Sequence, residues 1–467
     1  MINLANLKTP GVYVDEIALL PPSVAGVETS IPVFIGYTEE AQEKTPGDLH
    51  LKPKKIRSLK EYESFFGRIN EGKITVSIHD DTDASDVLLR RRLEVSVDPA
   101  LRNMYYQMQM FFGNGGSTCY VISVGQGSAD AAPVSTALEQ GLEEAGKLDE
   151  PTLVVFPDAN GISTQANICN LYKKALNQAG ELKDRFVVMD VNNVSDFRQY
   201  IGTENLKYGA AYYPPLQSQL SYLYADANVK IAHKVSKAGA APTDGPLKDK
   251  LLNSTDIPAT GALYNAVKQA IGESGPVLYP SSAVVGAYAA VDAARGVWKA
   301  PANVSLVNVL GPTIMITDLE QQELNVDVNG GISINAIRNI TGRGTVIWGA
   351  RTLAGNDNEW RYVNVRRFFN YVEESVKKAT YRFVFEPNDA NTWVSVRAMI
   401  ENFLVLQWRA GALQGAKPEQ AFFVRVGLGS TMTADDILNG RLIIEIGMAV
   451  VRPAEFIVLR FMHKLPE

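Results

Sequence analysis

The chain has 467 residues, 46% of them hydrophobic, and a net charge of −6. That length exceeds what one core supports and predicts two or three domains. The acidic balance argues against nucleic acid as a partner, and no apolar run reaches the roughly eighteen residues that a membrane span needs. Cys119 and Cys169 supply no disulfide framework and read as reduced core residues. No basic segment followed by an apolar one opens the chain, so synthesis in the cytoplasm without a signal peptide is expected. Charge is uneven: Val346–Glu467 holds 15 Lys and Arg against 13 Asp and Glu, a balance of +2, which leaves −8 for the remainder. This permits an acidic partner at the C-terminal end, although scattered solvated charge explains it as well.

In chain order, Gly11–Ile17 is a short strand pattern cut off by Pro21-Pro22, and residues 1–22 read as an extended arm. Ile31–Tyr37 is a buried strand. Ser58-Leu59-Lys60-Glu61 forms a capping box that opens a helix stopped at Gly67. Asn70–Glu94 is polar, ends in Arg90-Arg91-Arg92, and reads as a surface excursion. Asp98-Pro99 caps a helix running to Phe112. Strands at Cys119–Val124, Thr152–Phe156 and Phe186–Met189 then alternate with helices at 134–145, 164–178 and 194–201. This alternation predicts a parallel sheet covered on both faces. Ser218–Ser274, which contains Ser236–Pro242 and Asp244-Gly245-Pro246, breaks the rhythm and reads as an inserted loop or subdomain on the surface. A helix over 281–298 and a strand over Thr313–Thr317 complete an α/β domain spanning 23–345.

The remainder, 346–467, reads as an α+β layer. Helices are expected over Val363–Ala379 and from Asn391 to about Leu413, and a short capped helix at Thr433-Ala434-Asp435-Asp436. Strands are expected at Tyr381–Phe385, Ala421–Val426, Leu442–Ile446 and Glu455–Phe461. In the last strand Phe456, Val458 and Arg460 point one way and Ile457, Leu459 and Phe461 the other. Both faces are largely apolar, so the strand must be buried in a sheet or pair with another chain. Val12, Tyr13, Val14 and Ile17 pose the same question. Two such strands suit β-augmentation between subunits.

Catalytic constellations are sparse. His50, His79, His233 and His463 have no metal-ligand spacing, and no nucleophile elbow or phosphate-loop lysine motif is present. Gly113–Thr118 runs from helix to strand, the reverse of the order that aims amides at phosphate, and reads as a helix stop. Gly342-Arg343-Gly344 reads as a tight turn, and Asp158 as a loop or cap residue. No enzyme activity and no cofactor or metal is expected. Arg397 and Glu401, one helical turn apart, with Arg409 about two turns beyond Glu401, form a solvated ion-paired face or a partner surface.

Several ordered segments resemble the tail sheath proteins of contractile phage tails and contractile injection systems. They are Thr9–Glu16, Ser30–Thr38, Val291–Ala302, Asn335-Ala336-Ile337-Arg338, Val346–Leu353, Tyr362–Arg367, Phe385–Asp389, Ala421–Arg425 and Arg452–Phe456. The 70–94 and 218–274 stretches match poorly and are expected to decorate the outer domain. The resemblance implies an outer α/β domain, subtilisin-like but without that protease's triad, and an inner α+β domain facing a tube. N- and C-terminal strands would be exchanged between subunits. It implies a structural subunit that polymerises as stacked hexameric rings around an inner tube and contracts to drive that tube through a target envelope. Implied partners are further copies, the inner tube protein, baseplate and terminator or cap proteins, with sheath paralogues as further candidates. Nucleic acid and direct membrane insertion are not implied. The particle would assemble in the cytoplasm and could be released extracellularly. Gly440, Gly447 and Pro453 are candidate hinges beside the last strand, and Arg397, Glu401 and Arg409 candidate tube-facing residues. A non-contractile tail or shell subunit and an α/β hydrolase are the alternatives.

Overall fold

The computed structural model describes residues 24–68, 74–97, 104–126, 134–237 and 240–460. The chain divides into two compact units. The larger comprises Glu28–Asn370 and the segment from Arg452 on; the smaller comprises Tyr371–Val451 and the segment up to Val27. The division falls after Asn370 rather than at the expected 345/346, because the strand at 344–347 and the first half of the 363–380 helix pack within the larger unit.

The larger unit begins with β1 (Pro32–Thr38), β2 (Lys54–Ile56), α1 (Leu59–Phe66), β3 (Ile74–Thr82), β4 (Leu88–Val97), α2 (Met104–Gly113) and β5 (Cys119–Gln126). It continues with α3 (Ser135–Gly146), β6 (Leu153–Val155), α4 (Gln165–Leu182), β7 (Phe186–Asp190), α5 (Val194–Tyr200), β8 (Gly209–Tyr213) and β9 (Leu216–Ser218). Then come β10 (Val229–Lys237), β11 (Thr243–Asp244), α6 (Ala262–Ser274), β12 (Val277–Leu278), α7 (Ser281–Arg295), β13 (Val304–Ser305) and β14 (Val309–Pro312). Last are α8 (Asp318–Asn325), β15 (Asn335–Ile340), β16 (Gly344–Ile347) and the start of α9 (Val363–Thr380).

The expected parallel sheet is present: β5, β1, β6, β7, β8 and β15 pair in parallel, and β16, β13 and β2 extend the edges antiparallel. The continuous apolar strands bury alternate residues on opposite faces. Val33, Ile35, Ile122, Val154, Val187 and Met189 face α3, α4 and α5. Phe34, Val121, Leu153, Val155, Phe186 and Val188 face α1, α2 and α7. Ser58 caps α1 by accepting from the Glu61 N–H, while the Glu61 carboxylate accepts from the N–H of Arg57 rather than closing the box on Ser58.

The two stretches expected to decorate the surface form one sheet. β3 pairs in parallel with β10 and antiparallel with β4, and β11 completes the order β11-β10-β3-β4. Ile74, Val76 and Ile78 pack with Val229, Ile231, Val267 and Ile271 under α6. The Ile74/Val76/Ile78 alternation is a strand signal that the flanking charges hide. Those charges are partnered: Asp80 accepts both arms of Arg91 at 2.6 Å and lies 3.1 Å from His233 Nε2. The strand expected at Thr313–Thr317 is displaced to β14, and Thr317 instead caps α8.

Asp190 ends β7, fully buried, and accepts from the Ser281 N–H (2.8 Å) and hydroxyl (2.6 Å) at the start of α7. Burial pushes its carboxyl up to about 7 against the opposing hydrogen bonds from Ser281. An acid whose folded-state value is raised binds more protons folded than unfolded, so this group's contribution to stability falls as pH rises from about 4 to about 7. Asp190→Asn retains both contacts, accepting from the Ser281 N–H and donating to its hydroxyl. It is expected to flatten that part of the urea-midpoint profile against pH, as read by chemical denaturation of parent and variant.

The smaller unit holds the end of α9, α10 (Ala390–Arg409), α11 (Pro418–Ala421), β17 (Phe422–Val426), α12 (Ala434–Leu438) and β18 (Ile444–Met448). Asp389 caps α10 by accepting from the N–H groups of Asn391 and Thr392, and a complete Thr433/Asp436 capping box opens α12. The strand expected at Tyr381–Phe385 is a short 3-10 turn instead, and Tyr381, Val384 and Phe385 point to solvent. β17 and β18 form an antiparallel pair, with Val396, Met399, Ile400, Phe403 and Leu404 as the buried face of α10.

Candidate functional site

Four segments distant in sequence meet at one polar cluster of the larger unit. Asn335 opens β15, and its amide donates to the carbonyls of Arg351 (2.8 Å) and Ala211 (3.2 Å) while its oxygen accepts from the Arg351 N–H at 2.8 Å. Arg351, only 4% exposed, is thereby aimed at Glu455. Its Nε reaches Oε1 at 2.9 Å, its Nη2 reaches Oε2 at 2.6 Å, and its Nη1 donates to the Asn325 carbonyl at 3.0 Å. Asn325 Nδ2 donates to Oε1 at 3.0 Å, and the Tyr362 hydroxyl donates to Oε2 at 3.2 Å. A two-pronged guanidinium–carboxylate pair fixes orientation as well as distance. Burial pushes the Glu455 carboxyl up, and the hydrogen bonds from Arg351 and Asn325 outweigh it, so the net direction is below the ordinary 4.5. Both carboxylate oxygens are occupied by donors, an arrangement that holds a chain segment rather than moves protons.

A second cluster ties the entry of β1 to α7 and α9. Asp292 accepts from Thr29 Oγ1 (2.7 Å), from the Ser30 hydroxyl, and from Arg367 Nη1 (3.1 Å) and Nη2 (2.5 Å). Arg367 also donates to the Thr29 carbonyl at 2.9 Å and lies 4.7 Å over the Tyr288 ring. Neighbouring Arg366 lies 4.4 Å over the Trp360 ring and donates to Asn370 at 2.7 Å.

Beyond Glu455 the segment is unlike the strand expected at Glu455–Phe461. Over its described part, 455–460, it joins no ladder. Phe456, Ile457, Val458 and Leu459 are between 72% and 77% exposed. Among the described residues, no strand pairs with them. In the smaller unit, no third strand joins β17 and β18 among the described residues. Two paired strands are marginal on their own.

The other predicted residues are dispersed. Val12, Tyr13, Val14, Ile17 and Phe461 lie outside the described residues. Arg397 and Glu401 pair at 2.8 Å on the exposed face of α10, and Arg409 is exposed in its last turn. Gly440 follows α12 at φ 69°, Pro453 is half-buried two residues before Glu455, and Gly447 sits across from Phe423 in β18 with its Cα under that ring. Cys119 and Cys169 are buried and unbridged. Arg351, Tyr362 and Asn325 were not singled out by the sequence. Arg351 and Tyr362 stand in two of the resembling segments, but nothing local announces a pairing with Glu455 about a hundred residues away.

A family model for the phage tail sheath C-terminal domain matches residues 355–463. The tail sheath protein of Vibrio phage KVP40 is 25% identical over 169 residues, 36% of this chain, and the match spans only 25% of that protein's length. A chain of the 6-fold symmetrised anti-feeding prophage (AFP) baseplate structure is 30% identical with a TM-score of 0.66, covering 98% of this chain and 99% of that one. The sheath complex of PVC, an extracellular contractile injection system, in its contracted state is 29% identical, with a TM-score of 0.63 and 98% of each chain covered. The contracted helical sheath of AFP is likewise 29% identical with a TM-score of 0.63, over 98% of this chain and 99% of that one. The expected family is thus met along the whole chain by solved relatives and at its C-terminal end by the family model: this chain belongs to the contractile tail sheath family.

Proposed function

We propose that the protein is a structural subunit of a contractile sheath, joined to its neighbours by exchange of the segment that follows Glu455. The observation that carries this is a root held by a two-pronged ion pair and followed by four exposed apolar residues, in a chain whose smaller unit has a sheet of two strands among its described residues. Main-chain pairing on an open sheet edge, with alternate side chains filling pockets, is the physics of β-augmentation. In this reading the strand of one copy completes the β17/β18 sheet of another, and the 12–17 strand does the same from the other end. Subunits then stack as hexameric rings around an inner tube, on a baseplate, and contract to push the tube through a target envelope. The larger unit is the outer, subtilisin-like domain and the smaller the inner one. AFP and PVC relatives that form a baseplate and contracted sheaths support the assembly and the motion. Contraction requires two packings of the same subunits, with exchanged strands keeping rings joined and Gly440, Gly447 and Pro453 as hinges. No catalytic step and no cofactor belongs to it.

Negative-stain images of the purified assembly test the reading. Tubes of two lengths and diameters are the expected result, and a single fixed geometry under all conditions would reject contraction. Arg397, Glu401 and Arg409 are assigned to the tube-facing side. Arg397→Glu with Arg409→Glu should weaken co-assembly with tube while leaving self-assembly within about twofold, since exposed charges contribute little to the fold. Unchanged tube-dependent assembly would return these residues to a solvated face.

A further inference from the structure

One stretch of the larger unit is unusual in both charge and exposure. Pro301–Ile337 contains no Lys or Arg and four acids: Asp327 is buried beside Arg198, Asp318 pairs with Arg338 at 2.7 Å, and Glu320 and Glu323 are exposed. Within it Leu310, Ile314, Met315, Leu319, Val326 and Val328 are all exposed. Six large apolar side chains exposed within Leu310–Val328 exceed the scattered single exposures normal for a folded surface and mark an interaction site. It adjoins the root of the exchanged segment directly, because Asn325 ends α8 and donates to Glu455. The smaller unit carries the chemical opposite. Lys377 and Lys378, which pair with Glu374 at 3.1 and 3.3 Å, end α9, and exposed Arg382 sits in the following turn beside exposed Tyr381, Val384 and Phe385. Phe385 is fully exposed and held at φ 71°, a left-handed conformation unfavourable for a bulky residue. Strained backbone presenting an aromatic side chain to solvent is the pattern of a contact residue.

We propose that the acidic, apolar face around α8 receives the basic, aromatic 377–385 turn of a second copy of the chain. The inference rests on the assembly reading above and adds a second contact to the exchanged strand. Three features commit the occupant: opposite charge on the two surfaces, matched apolar exposure, and continuity of the face with the exchanged strand's root. The contact is heterologous, joining two different patches, which is the type that builds rings and helical stacks.

The test uses the full chain, with sedimentation and negative stain giving the concentration at which half the protein is in tubes, and circular dichroism giving the melting temperature. Glycine tolerates φ 71°, so Phe385→Gly should keep or raise the melting temperature while raising the half-assembly concentration about tenfold, as for loss of a contact anchor. Arg382→Glu and Glu323→Lys should each raise it several-fold, and the two together should restore it. Single variants that assemble like the parent, or a combined variant no better than the singles, overturn the contact. If serine at Phe456–Leu459 abolishes tubes while these variants change nothing, strand exchange stands and this contact falls. A parent chain that stays monomeric at every concentration overturns both.

Discussion

Replacing Phe456, Ile457, Val458 and Leu459 together with serine is expected to leave a folded, soluble monomer that forms no tubes. These side chains are already in water in the isolated chain, so removing them costs its fold little, within about 0.5 kcal/mol per site. Burial against a neighbour is worth roughly 1.5–3 kcal/mol for each large apolar side chain, so the four together represent on the order of 6–12 kcal/mol of gross association energy. Main-chain ordering offsets part of that, and losing the remainder is enough to abolish assembly. Circular dichroism melts and sedimentation of parent and variant read the two halves of the expectation. A large drop in melting temperature would mean the segment packs on its own chain, and tubes of normal yield would remove it from the intersubunit contact.

The second large effect concerns the root of that segment. Glu455→Ala leaves the Arg351 guanidinium, 4% exposed, without its carboxylate. Orphaning a buried charge in this way costs about 3–5 kcal/mol. Glu455→Gln keeps the shape and loses charge-assisted bonding, and should cost less, about 1.5–3 kcal/mol. Both variants should release 452–460 and weaken assembly, even though the apolar residues are intact. The pH dependence has a definite sign. Because the Glu455 carboxyl is held below its ordinary 4.5, its contribution is complete above that value and is lost as pH falls through the lowered folded value. Backbone NMR relaxation over 452–460 should therefore report a more mobile segment on acidification in the parent and an equally mobile one at all pH values in Glu455→Gln. Equal mobility in parent and variant at neutral pH would show that the ion pair does not hold the segment.

Much of the larger unit was legible because its signals are local. The apolar runs around Val33–Ile35, Leu153–Val155 and Phe186–Val188 are buried on both faces and so lack polar interruptions. The caps at Ser58 and, in the smaller unit, at Thr433 depend on residues three positions apart. The sheet that the 70–94 and 218–274 stretches share was not legible for the opposite reason. β3 finds its parallel partner in β10 about 150 residues later, and its charges look solvated until Arg91 and His233 are seen on Asp80. Tyr381–Phe385 has strand composition, yet as a turn between two helices it has no edge to pair with, and composition alone does not supply one.

The sequence alone determined the parallel α/β core, the capped helices of the C-terminal layer and the family likeness, all carried by short-range patterns and by the order of segments. It also determined that the last segment is apolar on both faces. Only the tertiary structure decided what holds that segment, because Asn335, Arg351, Tyr362 and Asn325 reach Glu455 through folding and not through spacing. It also decided that Phe456–Leu459 remain in water within the single chain. A strand needs a hydrogen-bonding partner to be a strand, and that partner is fixed by the arrangement of edges in space, which no local pattern encodes.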